Sequence, residues 1–295
     1  MYSKDVSRGW VHETARVASH EATWSDVCGL DDLAVASTGF TAYSQQLDLG
    51  EQWPARWTTT WKVGRTSVVH AVRDLAEVDV SQCTPVRRFT WRTDQYHRPG
   101  LEYLVTTDRH HGFESFEEER LLLVTDFAAG LVEALSQPFR LRLRAGGRRV
   151  EHTPDYLLLT DSGPYLVDVR PADRIRSADA LKFAATAEVA LAAGWNYSVV
   201  TGWRRYALGT VDALSAERRD LPDVLGTQGQ LIEAVAHEPM PFGDLVGQCR
   251  YPAIARAHAS HLMWHRYMGV DLSGPYGDWS LVRLAERGRR WGRER

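Results

Sequence analysis

The stretch His152–Pro171, HTPDYLLLTDSGPYLVDVRP, places a run of apolar strand-formers between two aspartates, Asp155 and Asp168. A carboxylate set among buried strand residues is costly unless something compensates it. If Asp161 and Ser162 form a two-residue hairpin loop, Thr160 faces Gly163 and, counting outward, Asp155 faces Asp168. Arg170, two residues beyond Asp168, then points to the same side of the sheet. Two carboxylates at neighbour distance repel unless one is protonated or a cation lies between them; with a third acid from a nearby helix, the natural occupant is Mg²⁺. Carboxylates, a cation and a basic side chain at strand ends make up a phosphodiester-cleaving site, in which the metal activates water and the basic group steadies the transition state. A plainer reading stays open: Asp155 as a turn residue after Pro154, and Asp168 paired locally with Arg170 or Arg174.

Upstream, FESFEEERLLLVTDFAAGLVEALSQPF (Phe113–Phe139) reads as a helix followed by a turn into a strand. Phe116, Leu123, Val124, Phe127 and Leu131 can form one apolar stripe. Glu114, Glu117, Glu118 and Glu119 fall in its first turns, where acids complement the helix dipole. VRRFTW (Val86–Trp91) and LEYLVTT (Leu101–Thr107) read as strands. After the helix come the strand RLRLR, an AGG turn, a strand ending in HTPDYLLLT, the DSG turn and the strand PYLVDVRP. A helix bounded by Ser177 and closed by Gly194 and a strand at NYSVVTG complete an α/β order of helix, three strands, helix, strand.

The chain has 295 residues, 44% hydrophobic and 25% charged, which suits a soluble protein with two or three modest cores. No apolar run approaches the roughly 20 residues of a bilayer-spanning helix, and MYSKDVSRGW has no signal-peptide core, so the expectation is a cytoplasmic protein with no membrane partner. Cys28, Cys83 and Cys249 lack the paired spacing of a zinc site. A net charge of −3 argues against wholesale coating of nucleic acid, yet RLRLRAGGRR (Arg140–Arg149) and ERGRRWGRER (Glu286–Arg295) each hold five arginines. The first reads as a solvated strand face and the second as a frayed tail, and either could lie on phosphates.

Residues 1–80 read as an N-terminal extension of unknown role, with Trp53, Trp57 and Trp61 expected in a core. Residues 81–205 hold the α/β domain. Residues 206–295 read as a separate winged-helix-like domain: short helices at Gln230–Val235 and Phe242–Cys249, a longer one at Ala255–Tyr267, then two strands around an SGPYGD turn. Such domains bind DNA through the third helix or dock proteins, and this helix carries few basic residues, Arg256 and Arg266. His258, His261 and His265 share a face on it; metal binding there is conceivable but lacks an added Cys or carboxylate.

HTPDYLLL followed by LVDVRP, between an acidic helix and a second helix, resembles the PD-(D/E)xK nuclease superfamily, whose core is restriction-endonuclease-like. Over about residues 80–205, FESFEEERLLLVTDF and ALSQPFRLRLRAGGRRVEHTPDYLLLTDSGPYLVDVRPA are similar to the TnsA-like endonuclease subunits of heteromeric transposases, and the similarity extends into the C-terminal helices. The resemblance implies a Mg²⁺-dependent DNA endonuclease, with Mn²⁺ able to substitute, that nicks transposon ends beside a DDE-type transposase and an AAA+ ATPase regulator. By position, Glu118 of SFEE is the helix acid, with Glu114 the second choice; Glu118, Asp155 and Asp168 are metal ligands, and Arg170 takes the basic site. The family usually has lysine there. Arginine keeps the charge but cannot yield a proton at neutral pH, and Lys182 on the next helix could supply an ammonium. A catalytically degenerate DNA-binding or assembly subunit, or a restriction- or defence-type nuclease with the same core, are the alternatives.

Overall fold

The computed structural model describes residues 22–87 and 99–291. A helical turn, α1 (Leu30–Leu33), leads into strand β1 (Ala34–Ser37). A second turn, α2 (Trp53–Arg56), precedes β2 (Thr58–Val63), β3 (Thr66–Ala71) and the short β4 (Cys83–Thr84). The hairpin β5 (Gly100–Leu104) and β6 (Arg109–Phe113) follows, where a strand is expected at Leu101–Thr107. The expected strand at Val86–Trp91 lies largely outside the described residues. The middle of the chain runs α3 (Phe116–Phe127), β7 (Leu131–Ser136), β8 (Phe139–Ala145), β9 (Arg148–His152), β10 (Tyr156–Thr160), β11 (Gly163–Val169), α4 (Ser177–Ala193) and β12 (Asn196–Trp203). Last come α5 (Ala207–Ser215), α6 (Thr227–Ala234), β13 (Met240–Pro241), α7 (Phe242–Gly247), α8 (Pro252–Trp264), β14 (Met268–Val270) and β15 (Leu281–Leu284).

The fold is mixed α/β with several sheets. A central sheet has the order β1-β12-β11-β10-β7, with β11 and β12 parallel and the other pairs antiparallel. A second sheet, β3-β2-β8-β9, and a third, β13-β15-β14, lie apart from it. The apolar run YLLL is explained by burial on both faces of the central sheet. Leu157 and Leu166 pack with Phe183 and Ala184 of α4, whereas Tyr156, Leu158 and Val167 pack with Leu121 and Leu122 of α3.

Two strand expectations change. The single strand expected through HTPDYLLLT is broken at Thr153–Asp155, so β9 and β10 belong to different sheets. Pro154 has no N–H to give a ladder and pushes Thr153 away from regular pairing. The helix ends at Phe127, Gly130 turns the chain at φ 86°, and Leu131 starts β7 instead of extending the helical stripe. Phe116, also assigned to that stripe, is 58% exposed.

Of the region expected as an N-terminal extension, residues 22–80 are described, and they pair with strands of the α/β part. β1 pairs with β12 at the edge of the central sheet, and β2 pairs with β8. Trp57 and Trp61 are fully buried in the core that holds Phe139 and Phe183. The C-terminal helices likewise share one core with Leu123, Val124 and Phe127 of α3. In the segment expected to fray, Trp291 packs against Tyr267 at 4.8 Å, and residues 292–295 lie outside the described residues. Among the described residues no helix is long and apolar enough to cross a membrane.

Arg266, just past α8 and in the left-handed region at φ 60°, pins these parts together. Its Nε and Nη2 donate to the Phe127 carbonyl at 3.0 and 2.6 Å, Nη1 to the Asp26 carbonyl at 3.1 Å, and Nη2 to the Cys28 carbonyl at 3.0 Å. The Phe127 carbonyl is at the end of α3, where no helical partner exists. Lysine cannot reproduce this planar fork. Arg266→Ala should therefore cost about 2–4 kcal/mol, the order expected when buried carbonyls lose charged donors. Urea unfolding measures it, and a midpoint equal to wild type would show that the clamp contributes nothing.

Candidate active site

The hairpin register follows from the loop: Thr160 pairs with Gly163 and Tyr156 with Val167. Asp155 lies one step beyond the ladder and ends the hairpin with its side chain. Its Oδ2 accepts from the Val169 N–H at 2.7 Å, and its carbonyl accepts from the Gln137 N–H at 2.7 Å. Gln137 reaches that position in the left-handed region, at φ 45°, a strained conformation that the bond helps to hold. Burial, and then the charges of Asp168 and Glu118, push the Asp155 carboxyl well above the usual carboxylate range.

Asp168 is 1% exposed. His152 Nε2 lies 3.0 and 3.1 Å from its two oxygens, where an Nε2–H donates to an ionised carboxylate, and the Tyr197 hydroxyl donates to Oδ2 at 2.8 Å. Burial, and then the Asp168 charge, hold the Tyr197 phenol well above its ordinary value, so it stays a neutral donor. Phe183 packs edge-on against the His152 ring.

Ser115 and Glu118 form the helix-start box that SxxE encodes. The Glu118 N–H donates to Ser115 Oγ at 3.3 Å, Ser115 Oγ donates to Glu118 Oε1 at 2.9 Å, and the Glu114 N–H donates to Glu118 Oε2 at 2.9 Å. The first role of Glu118 is thus to start α3, while burial pushes its carboxyl up. Glu114, read as a helix acid one turn earlier, precedes the N-cap and pairs with Arg87 at 2.7 Å.

Glu118, Asp155, Asp168 and Arg170 line one cleft of about 480 Å³, joined by Lys182 and Glu114. Arg170 is turned away from the aspartates: Nη2 pairs with Asp179 Oδ2 at 3.5 Å and Nε donates to the Arg174 carbonyl at 3.3 Å. The local pairing of Asp168 with Arg170 or Arg174 does not occur; His152 and Tyr197 take that place. Among the described residues, no three or more His, Cys, Asp or Glu side chains stand close enough together to hold a metal ion as they are placed.

His152 and Tyr197 are the site residues that sequence reasoning missed. His152 stands in the opening motif, but it ends a strand of the second sheet, outside the hairpin count. Tyr197 reaches Asp168 from a parallel strand whose register no local turn specifies. The α8 histidines serve packing: His261 Nδ1 and His265 Nε2 meet the carbonyls of Glu217 and Arg218 at 2.9 and 3.0 Å, and His258 meets Gln228 at 3.1 Å. Compared with known proteins, the chain matches no family model and no curated protein.

A carboxyl raised by folding adds stability only below its ordinary value of 3.8 and loses it as pH rises through the folded value. At pH 7 without metal, the cost of keeping Asp155 charged or of protonating it therefore works against the fold. Asp155→Asn keeps an acceptor for the Val169 N–H and removes the charge. It should raise Tm in chelator by about 2 °C or more at pH 7, the gap closing toward pH 4. Thermal melts across that range decide it; an unchanged or lower Tm at pH 7 contradicts the repulsion.

Proposed function

We propose that the chain is a divalent-cation-dependent DNA endonuclease with a restriction-endonuclease-like core, acting as a TnsA-like subunit of a heteromeric transposase. The observation that carries this reading is the convergence of Glu118, Asp155 and Asp168, from separate elements, with Arg170 and Lys182 in one cleft. All three acids offer carboxylate oxygens, which suit Mg²⁺ or Mn²⁺ and not a thiolate-seeking metal. A cation there would also relieve the repulsion that raises Asp155. The hydrogen bonds to Asp168 and Glu118 leave further lone pairs, since a carboxylate offers about four acceptor sites.

Glu118, Asp155 and Asp168 would hold the ion, which when bound lowers the pKa of a water and neutralises charge on a scissile phosphate. The protein's own residues orient the ligands. His152 and Tyr197 fix the Asp168 carboxylate, and the Val169 N–H fixes that of Asp155. Arg170, freed from Asp179, would clamp a phosphate through its fork without transferring a proton. Lys182 offers a second cation from α4.

The C-terminal helices and the β13-β15-β14 sheet support a winged-helix reading. The arginine of α8 and the one just past it are engaged within the protein, Arg256 with Asp278 at 2.7 Å and Arg266 in its clamp. That favours docking of a protein partner, of which the resemblance names a DDE-type transposase and an AAA+ ATPase, over base reading by α8. One observation favours a second reading, an assembly subunit that keeps the fold without cleaving: the Arg170–Asp179 pair where the family usually has lysine.

Calorimetry with Mn²⁺ on the full chain should show binding that the Asp155→Ala/Asp168→Ala double variant loses; equal binding by both removes the metal site. In plasmid nicking with Mn²⁺, Arg170→Lys should match or exceed wild type, and Arg170→Ala should lose on the order of 10²–10³-fold. Metal binding with no nicking by any of the three, alone or with the partner subunits, selects the assembly reading.

A further inference from the structure

The second sheet turns its apolar face inward and a row of arginines outward. Along β8 the alternation is strict: Phe139, Leu141 and Leu143 are buried, whereas the side chains of Arg140, Arg142 and Arg144 are 45%, 53% and 58% exposed. In register beside them on the same face stand Thr58 and Thr60 of β2 and Arg149 and Glu151 of β9. Two acids serve the three arginines: Glu151 lies 2.8 Å from Arg142 and 4.0 Å from Arg140, and Asp48 lies 3.9 Å from Arg144. Among the described residues Lys62 and Arg149 on this face have no acidic partner within 4 Å. Thr60 Oγ1, against this row, is buried without a hydrogen-bond partner. A chain of net charge −3 thus concentrates positive charge on one sheet face.

The row starts on the strand that abuts the cleft, with its side chains on the opposite face of the sheet from the His152 ring. Leu141, next to Arg140, is the strand partner of His152, whose ring lines the cleft and holds Asp168. From there it runs away across the outer face for roughly 14 Å, at about 3.4 Å per residue. Alternate residues stand about 6.8 Å apart, twice the axial spacing of phosphates along one strand of a duplex, and the arginine fork matches phosphate geometry. The face carries one exposed apolar side chain, Val69, and lacks the aromatic anchors on which protein interfaces depend.

We infer that this face is a docking surface for the phosphate backbone of duplex DNA that lies outside the cleft. The assignment of DNA as occupant rests on the nuclease reading of that cleft. The surface is sequence-independent: it contributes affinity and orientation, and no base recognition.

The test is anisotropy titration of the full chain with mixed-sequence duplexes in EDTA over a series of salt concentrations. Arg140→Gln/Arg142→Gln/Arg144→Gln should weaken every duplex by roughly tenfold or more and lower the salt slope by about 2 to 3, close to 0.9 per lost phosphate contact. Arg73→Gln, an exposed arginine on another segment, should leave both unchanged. Glu151→Gln, which removes the competing carboxylate, should tighten binding several-fold, and it decides the matter if the triple variant does not fold. Wild-type affinity and slope in the triple variant, or no gain in Glu151→Gln, overturns the inference. So does polyglutamate binding as tightly as duplex of equal charge, which would mark a site for acidic protein. Because these titrations contain no metal, a wild type that binds DNA through this face yet neither binds Mn²⁺ nor nicks would defeat the nuclease reading alone.

Discussion

The 2.7 Å bond from the Val169 N–H to Asp155 Oδ2 is the constraint on which the cleft depends. Two strands leave their ladder at Tyr156 and Val167, and the next N–H needs an acceptor in a place where water is scarce. A side-chain carboxylate supplies it and so fixes Asp155 beside Asp168. From that placement follow the raised Asp155 carboxyl, and the two donors, His152 and Tyr197, that Asp168 needs at 1% exposure. Those donors in turn require β9 and β12 to end near the same point.

The rest of the molecule holds that point still. α4 and α3 cover the two faces of the hairpin, and α3 is started by the same Glu118 that lines the cleft. Its far end is closed by Arg266, which also holds the chain at Asp26 and Cys28. Asp26 is further paired with Arg283 at 3.0 Å, a bidentate contact with Asp26 nearly fully buried. The segments around Asp26 and around Arg266 and Arg283 therefore brace the helix that positions one of the three acids.

Repulsion among carboxylates is a cost that a purely structural cluster has no reason to keep. Burial and mutual charge raise the carboxyls of Asp155 and Glu118, a strain of the kind that clusters at functional sites. Arg170 shows the same tension from the cationic side. Its pairing with Asp179 leaves its side chain 42% exposed, and surface pairs of this kind contribute about 0–1 kcal/mol, so moving the guanidinium to a phosphate costs little.

Local chemistry made much of this legible from sequence. A two-residue Asp161–Ser162 loop fixes the pairing of Thr160 with Gly163, and pleat alternation carries Asp155 and Arg170 toward the cleft; SxxE marks the start of α3, and Gly194 the end of α4. These are contacts within a few residues, where turn and cap chemistry leave few options. Tertiary structure decided what lies further apart. Pro154 splits one apparent strand between two sheets, β1 reaches the central sheet from the N-terminal region, and Tyr197 meets Asp168 across a parallel pair. Parallel and cross-sheet registers are set by packing of whole faces, and the direction of Arg170 by whichever acid stands nearest. Alternation and loop length encode neither.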